Sequence, residues 1–475
     1  MTNRVHFIGI GGTGLSAIAK VLVEKGWHVS GSDRSSSPYL EELRKLGVQL
    51  FIGHSAENIK DVDVVVRSSA VPDDNIEVVT AQAKGIPVQK RVDFLPSVIG
   101  DQICIAIAGT HGKTTTTSMI AWILTQAGLD PSFIIGSVSK NLGTNAHAGT
   151  GEFFVIEADE YDSMFLGLHP FVAVVTNVEH DHPDCYPTPQ VYSQAFLNFL
   201  ANLQARGLII LCADHAGAMS VRFKLPVNIP VFTYSVFSLM EQNPNSNQQN
   251  ADYLLLSAED GSFKLFSQEA LHVRKEMLSF KAGVPGIHNL QNAAAAAITA
   301  LTLGIEPQVI SLALESFSGS GRRFDVLGNF NGITLIDDYA HHPTEIHATI
   351  QAARMAYPNH RLWVVWQPHT FSRTQTLLQD YVKEISQADQ LVITEVFAAR
   401  EKSTGFSSAQ IIPKIKNIPA FFAPTLNDAE TYLENHLESG DVVLVLSAGD
   451  AIQINQTLSQ SIMTNSPSNS TVVKS

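Results

Sequence analysis

Gly109-Thr110-His111-Gly112-Lys113-Thr114-Thr115 follows the apolar run Ile103 to Ala108 and leads into a stretch of helical character. A strand feeding Gly-x-x-Gly-Lys-Thr, then a helix, points several backbone N–H groups and a helix N-terminus at one spot, where phosphate oxygens are stabilised. Lys113 is placed to reach terminal phosphates, and the Thr114 hydroxyl to ligate Mg²⁺. The pattern departs from the eight-position P-loop at Ile107, which stands where its first glycine belongs. A glycine turn before an ordinary exposed lysine is the bland alternative. Strand, glycines, Lys-Thr and helix agree against it, and the chemistry implied is binding and cleavage of a nucleoside triphosphate.

Acids lie at the ends of two further apolar runs. Glu157-Ala158-Asp159-Glu160 closes one, and Glu179-His180-Asp181-His182 follows another. Strand ends of a parallel sheet converge on the ligand crevice, so these carboxylates are placed to hold metal beside phosphates. His182 reads either as a ligand or as a hydrogen-bonded cap, since Mg²⁺ prefers oxygen. His341-His342 before Pro343 reads as a helix entry with proline at the first helical position. Nearer the start, Gly9-Ile10-Gly11-Gly12-Thr13-Gly14 fits a dinucleotide fingerprint, with Asp33 ending the next strand. Such a turn selects a diphosphate over a helix N-terminus without naming the base. NAD or a nucleotide sugar would both satisfy it.

These motifs sit in three blocks of alternating strands and helices. The first runs from Val5 to about Gly100, with strands VHFIGI, WHVSGSD and a run near residues 61–69, and helices Leu15–Lys25 and Tyr39–Leu46. The second holds ICIAIAG (103–109), FFVIEAD (153–159), VAVVTNV (172–178) and GLIILCAD (207–214). The third holds ITLIDDY (333–339), RLWVVWQ (361–367), QLVITEV (390–396) and DVVLVLSAG (441–449). Apolar strands alternating with helices predict α/β domains with mainly parallel sheets covered on both faces. The expected borders are 1–100, 101–321 and 322–458. Ser238 to Asn250 reads as a surface excursion, and the polar stretch 459–475 as a disordered tail.

Bulk properties narrow the function. A chain of 475 residues predicts several domains. Lys plus Arg number 31 and Asp plus Glu 45, a net charge of −14, which argues against a large nucleic-acid footprint. Three scattered cysteines fit neither a disulfide framework nor a zinc site and point to a reducing compartment. A strand follows the start almost at once, so no signal peptide is expected, and no apolar run is long enough to insert in a membrane. A cytoplasmic protein, monomer or homodimer, is the expectation.

Taken together, GIGGTG, GTHGKTT, EADE, TNVEHDHPD, GIHNLQNAAAA, GRRF and DDYAHHPTE closely resemble the Mur ligases, in order and across nearly the whole chain. GIGGTG followed by GSD, with DDYAHHPTE, points to the alanine-adding members. The resemblance implies a Rossmann-like UDP-sugar domain, a P-loop-type central ATPase domain and a Rossmann-like C-terminal ligase domain. UDP-N-acetylmuramate and L-alanine are the implied substrates, with ATP and Mg²⁺. Lys113 would act on the transferring phosphate, with Gly109 to Thr115 around it, and Thr114, Glu157 and His182 would bind metal. Asn292 would read adenine, with Asn289 supporting the helix entry; Arg323 would reach ATP phosphate and Asp338 the ribose. His341 and Arg373 would form the alanine and acyl-phosphate pocket. Gly11, Gly12, Thr13 and Gly14 would cradle the UDP diphosphate, with Asp33, Ser69 and Ala70 on the same face.

Two departures stand out. No lysine lies between His182 and Lys224, so the carbamylated lysine of several sister ligases has no counterpart. Thr370 occupies the position of the usual basic residue after Gln-Pro-His. Other readings are a ligase that attaches a preformed peptide to the same sugar nucleotide, a nucleotide-gated binding protein with little turnover, and, weakest, an oxidoreductase.

Overall fold

The computed structural model describes residues 3–237, 250–270, 273–399 and 401–464. It divides into two compact units, one of residues 1–284 with 288–320 and the other of 285–287 with 321–475.

The first unit holds two sheets. In the smaller, the order is Gln49–Ile52, His28–Asp33, Arg4–Ile8, Val64–Arg67, Val88–Lys90, all parallel. Arg4–Ile8 is central, so its carboxyl end is the point where the strand order reverses and a crevice opens. The larger sheet has ten strands, and Ile103–Ala108 lies between Val172–Val175 and Phe153–Glu157 in parallel register. Cys104 to Ala108 are all buried, as a strand covered on both faces requires. Beyond Leu208–Cys212 this sheet continues through Val231–Phe237, Tyr253–Ser257, Phe263–Ala270 and Val273–Phe280, the last three joined antiparallel. None of these four strands figures among the runs named above; Phe263–Ala270 and Val273–Phe280 carry many polar residues and form no apolar run. The expected excursion at 238–250 falls, up to residue 249, outside the described residues.

The border expected near residue 100 is a short turn without a break in packing. One apolar cluster joins Val5, Phe7, Leu22 and Phe94 of the first block to Cys104, Phe154, Phe165 and Phe196 of the second. Polar contacts cross as well: Lys20 Nζ donates to Thr144 Oγ1 at 2.5 Å, and Ala148 N to Glu24 Oε2 at 2.7 Å.

The second unit is a six-stranded sheet in the order Asp325–Phe330, Ile333–Asp338, Val442–Leu446, Leu362–Trp366, Gln390–Thr394, Ala420–Ala423. Only the first of these is antiparallel. Apolar clusters cover both faces. The helix Ile452–Thr464 packs Ile454 and Leu458 into one of them. Residues 459–464, expected in a disordered tail, therefore belong to a helix anchored by its apolar face, and 465–475 lie outside the described residues. Among the described residues no helix is long and apolar enough to cross a membrane.

Candidate active site

The carboxyl ends of three neighbouring strands bring the chemistry of the first unit together. Ile103–Ala108 delivers the glycine loop, Phe153–Glu157 the acidic run and Val172–Val175 the pair Thr176-Asn177. Gly109 has φ +139° and Gly112 φ +82°, conformations side chains rarely adopt. A Cβ on Gly109 would lie 2.0 Å from Thr176 Oγ1, and one on Gly112 2.4 Å from Asn292 Oδ1. Ile107, by contrast, is an ordinary buried strand residue. The turn needs glycine only at these two positions, which explains why the longer P-loop pattern is incomplete.

Side chains hold the loop in place. His111 N donates to Asn177 Oδ1 at 2.9 Å, while Thr176 Oγ1 and Asn177 Nδ2 donate to His111 O at 2.6 and 3.0 Å. Thr110 Oγ1 donates to Glu179 O at 2.8 Å, and the His111 ring nitrogen Nε2 lies 2.9 Å from Glu179 Oε2. The helix Lys113–Gln126 then begins with Gly112 as N-cap and no side-chain cap. Its leading N–H groups are the kind that bind phosphate.

Lys113 Nζ donates to Gly109 O at 2.6 Å and Thr110 O at 3.1 Å, and pairs with Glu160 Oε2 at 2.9 Å. Burial works to lower its pKa, but the charges of Glu160, Glu157 and Asp159 outweigh it, so the pKa is raised and the ammonium stays charged.

The metal set divides in two. Thr114 Oγ1 donates to Glu157 Oε2 at 2.9 Å, and Gly136 N donates to the same oxygen at 2.7 Å. Burial pushes the Glu157 carboxyl above its ordinary pKa, against Lys113 and these hydrogen bonds. A half-buried carboxylate next to a threonine hydroxyl, with negative charge in excess, fits a hard divalent cation. His182 stands with the other acids: Nε2 is 3.7 Å from Glu160 Oε1 and from Asp181 Oδ2, and its ring meets Tyr161 edge-on at 5.1 Å. His182, Asp162 and Ser163 all have φ between +53° and +56°. Strain at several non-glycine residues persists only where surroundings enforce it, and it clusters at functional sites.

Asn289 and Asn292 lie near the start of the helix Ile287–Thr302, whose alanines 293–297 are buried and allow close packing. Asn292 is itself buried, accepts from Thr116 Oγ1 at 3.2 Å and donates to Asn289 Oδ1 at 3.3 Å. Its amide thus braces the loop beneath Gly112, a contact that the adenine assignment does not anticipate.

In the first block Gly12 caps the helix Thr13–Glu24 without a side-chain bond. Asp33 Oδ2 accepts from Gly11 N at 2.8 Å, and Ser37 Oγ donates to Gly11 O at 3.2 Å, so Asp33 shapes the turn directly. A Cβ on Gly14 would lie 2.0 Å from Arg91 Nη1, and Arg91 Nη2 is 3.3 Å from Asp159 Oδ2. Arg91, which sequence reasoning overlooked, therefore links this turn to the acidic run. Ser69 and Ala70 are exposed in the turn after Val64–Arg67, where Ser68 abuts Gly9.

Within the second unit the expected residues form a chain of contacts. Asp338, buried at a strand end, accepts from Phe324 N and Ala340 N, each at 2.7 Å. Burial pushes its pKa up to about 6, opposed by the Arg323 charge and those two backbone bonds. Its carboxylate thus holds the backbone just after Arg323 and just after Tyr339, whereas the resemblance assigns it to ribose. The Arg323 guanidinium lies 5.3 Å from the Tyr339 ring centre, and Tyr339, His341 and His369 follow at 5.5 and 5.7 Å between rings. Arg373, buried, stands 3.3 Å from His369 Nδ1. His342 caps the helix Pro343–Ala356 with a reciprocal bond to Glu345, the helix entry expected from the sequence. Thr370, at φ +63°, precedes the short helix Phe371–Thr376 that carries Arg373.

Residues 4–102 match the model described as Mur ligase family, catalytic domain; residues 107–300 match the Mur ligase middle domain; residues 322–449 match the Mur ligase, glutamate ligase domain. The chain is 42% identical over 464 residues to a UDP-N-acetylmuramate–L-alanine ligase of Nitratidesulfovibrio vulgaris, covering 96% of this chain and 99% of that one. It is 38% identical over 458 residues to that of Alkaliphilus metalliredigens, covering 96% of each. Among solved structures, UDP-N-acetylmuramate–alanine ligase from Thermotoga maritima superposes with a TM-score of 0.78 at 28% identity, covering 97% of this chain and 99% of that one. A murein peptide ligase from Psychrobacter arcticus gives 0.70 at 26%, with the same coverage. With three family models in order along the chain and full-length relatives above a third identical, this protein belongs to the Mur ligase family.

Proposed function

We propose that this chain joins L-alanine to the carboxylate of UDP-N-acetylmuramate in the cytoplasm, with cleavage of ATP to ADP and phosphate, as a step towards the peptidoglycan precursor. The observation that carries this reading is the loop at Gly109–Thr114, with Lys113 and the Thr114–Glu157 pair intact, in a chain like alanine ligases from end to end.

A carboxylate does not acylate an amine unaided. Its oxygen attacks the γ-phosphorus of ATP, the bond to the β-phosphate oxygen breaks, and ADP leaves. The amine of alanine then attacks the acyl phosphate carbon, loses a proton, and expels phosphate to form the amide. Each step needs neutralised charge and aligned partners more than covalent help from the protein. Lys113 supplies a positive charge, and the loop N–H groups donate to phosphate oxygens. Thr114, Glu157 and His182 would hold Mg²⁺, which would supply further charge neutralisation at the phosphates. In this reading Gly11, Gly12, Thr13 and Gly14 bind the UDP diphosphate, with Asp33 bracing that turn. Asn292 serves ATP by bracing Gly112. Arg323 and Asp338 serve the nucleotide, and Arg373 clamps the alanine carboxylate near His341.

Phosphate release from ATP tests the assignment. Release is expected only when UDP-N-acetylmuramate and L-alanine are both present. Equal release with a tripeptide in place of alanine would favour the peptide-attaching activity, and release without the sugar nucleotide would reject both.

A further inference from the structure

Glu160 lies in the acidic run but does not share the work of Glu157. It is 1% exposed, among the most buried carboxylates of the first unit, and both its oxygens face Lys113, at 3.1 and 2.9 Å. Oε1 also accepts from Tyr192 OH at 3.1 Å, and Tyr192 is equally buried. Tyr186 OH donates to the backbone oxygen of Glu160 at 2.5 Å. Two tyrosines thus hold Glu160, one by its side chain and one by its main chain. Tyr192 OH lies 3.0 Å from Thr110 Oγ1 as well, which ties the cluster to the glycine loop.

An ammonium has three donors, and Lys113 directs them at Gly109 O, Thr110 O and Glu160. A phosphate oxygen that takes a bond from Lys113 must replace one of these partners. The two carbonyls are neutral and belong to the loop itself. Glu160 carries the charge that competes with phosphate, and its two tyrosines keep it from moving aside.

We propose that Glu160 is a positioning residue for the ligase reaction, a fixed counter-charge that competes with the terminal phosphates of ATP for Lys113, and that Tyr192 sets the strength of this competition by sharing Glu160 Oε1. This rests on the nucleotide site proposed above. Neutralising Glu160 frees Lys113 for phosphate. Removing the Tyr192 hydroxyl leaves Glu160 leaning more fully on Lys113. The two changes act on ATP in opposite directions, which general damage to the site would not do.

Calorimetric titration of the full chain with ATP and with AMP, both with Mg²⁺, provides the test. Glu160→Gln is expected to bind ATP about tenfold more tightly than the unaltered protein, the scale of a charged hydrogen bond. Tyr192→Phe, which keeps the ring, is expected to bind it about threefold more weakly. AMP has no terminal phosphates for Lys113 to reach, so its affinity should stay within about twofold in both variants. Glu160→Gln binding ATP no more tightly, Tyr192→Phe binding it no more weakly, or AMP shifting as far as ATP would each overturn the proposal. Should Glu160→Gln fail to fold, the Tyr192→Phe results decide. Absence of ATP binding by the unaltered protein would instead overturn the proposed nucleotide site.

Discussion

Lys113→Ala is expected to lower ligase turnover by roughly a thousandfold or more, the effect of removing a cation from a phosphoryl-transfer site. UDP-N-acetylmuramate binding should be retained, because the turn at Gly11 to Gly14 follows a strand of the other sheet and opens its own helix, Thr13–Glu24. The substitution also strands Glu160, buried and facing the lost ammonium. An unpaired buried charge destabilises by several kcal/mol, on the order of 3–5. Adding Glu160→Gln should restore much of the melting temperature and none of the turnover. Kinetics, sugar-nucleotide titration and thermal melting separate the two effects. Recovery of turnover in the double variant would mean that Lys113 acts only through folding.

Gly109→Ala should be nearly as severe, through the backbone. The residue has φ +139°, and the added carbon would meet Thr176 Oγ1 at 2.0 Å and Asn177 N at 3.1 Å. The strained backbone alone costs about 1–3 kcal/mol. Relieving the clash moves the loop off Thr176 and Asn177, which bind His111 from both sides. ATP affinity is expected to fall about a hundredfold, since a displaced loop loses several phosphate donors together. Gly128→Ala is the matched control. Gly128 also has positive φ, +75°, but nothing lies within 4 Å of its added carbon. That variant should lose about 1 kcal/mol of stability and keep its ATP affinity. Equal loss of ATP binding in both variants would show that the loop's shape is not what binds phosphate.

Much of the scaffold was legible in the sequence for a physical reason. Strands such as Ile103–Ala108, Val172–Val175 and Val442–Leu446 are buried on both faces, and burial on both faces writes itself as an unbroken apolar run. The glycine loop was legible because phosphate binding requires specific residue types at fixed offsets. Phe263–Ala270 and Val273–Phe280 escaped because a partly exposed antiparallel ribbon has no such run. Residues 459–464 were misread because their polar composition hides the anchoring of Ile454 and Leu458 in the same helix.

Within the site, the motif residues came easily and their supports did not. Glu160 was visible in the acidic run, yet nothing in its spacing distinguishes a partner of Lys113 from a metal ligand. Tyr192 stands on a helix whose buried residues, Tyr192, Ala195, Phe196, Phe199 and Leu200, read simply as an apolar face. Only the fold brings its hydroxyl to Glu160 and Thr110. Arg91 likewise looks like a charged helix start until Gly14 and Asp159 are seen beside it. Long-range pairs of this kind leave no periodic trace.

The central claim is that the phosphoryl group held at Gly109 to Thr114 passes to a sugar carboxylate and not to water. UDP-N-acetylmuramate labelled with ¹⁸O in its carboxylate, turned over with ATP and L-alanine in ordinary water, measures this directly by mass spectrometry of the released phosphate. Passage through an acyl phosphate leaves one labelled oxygen in each phosphate, because the bond that breaks is the one from carbon to the bridging oxygen. Phosphate without label, formed at the same rate as the amide, would contradict it.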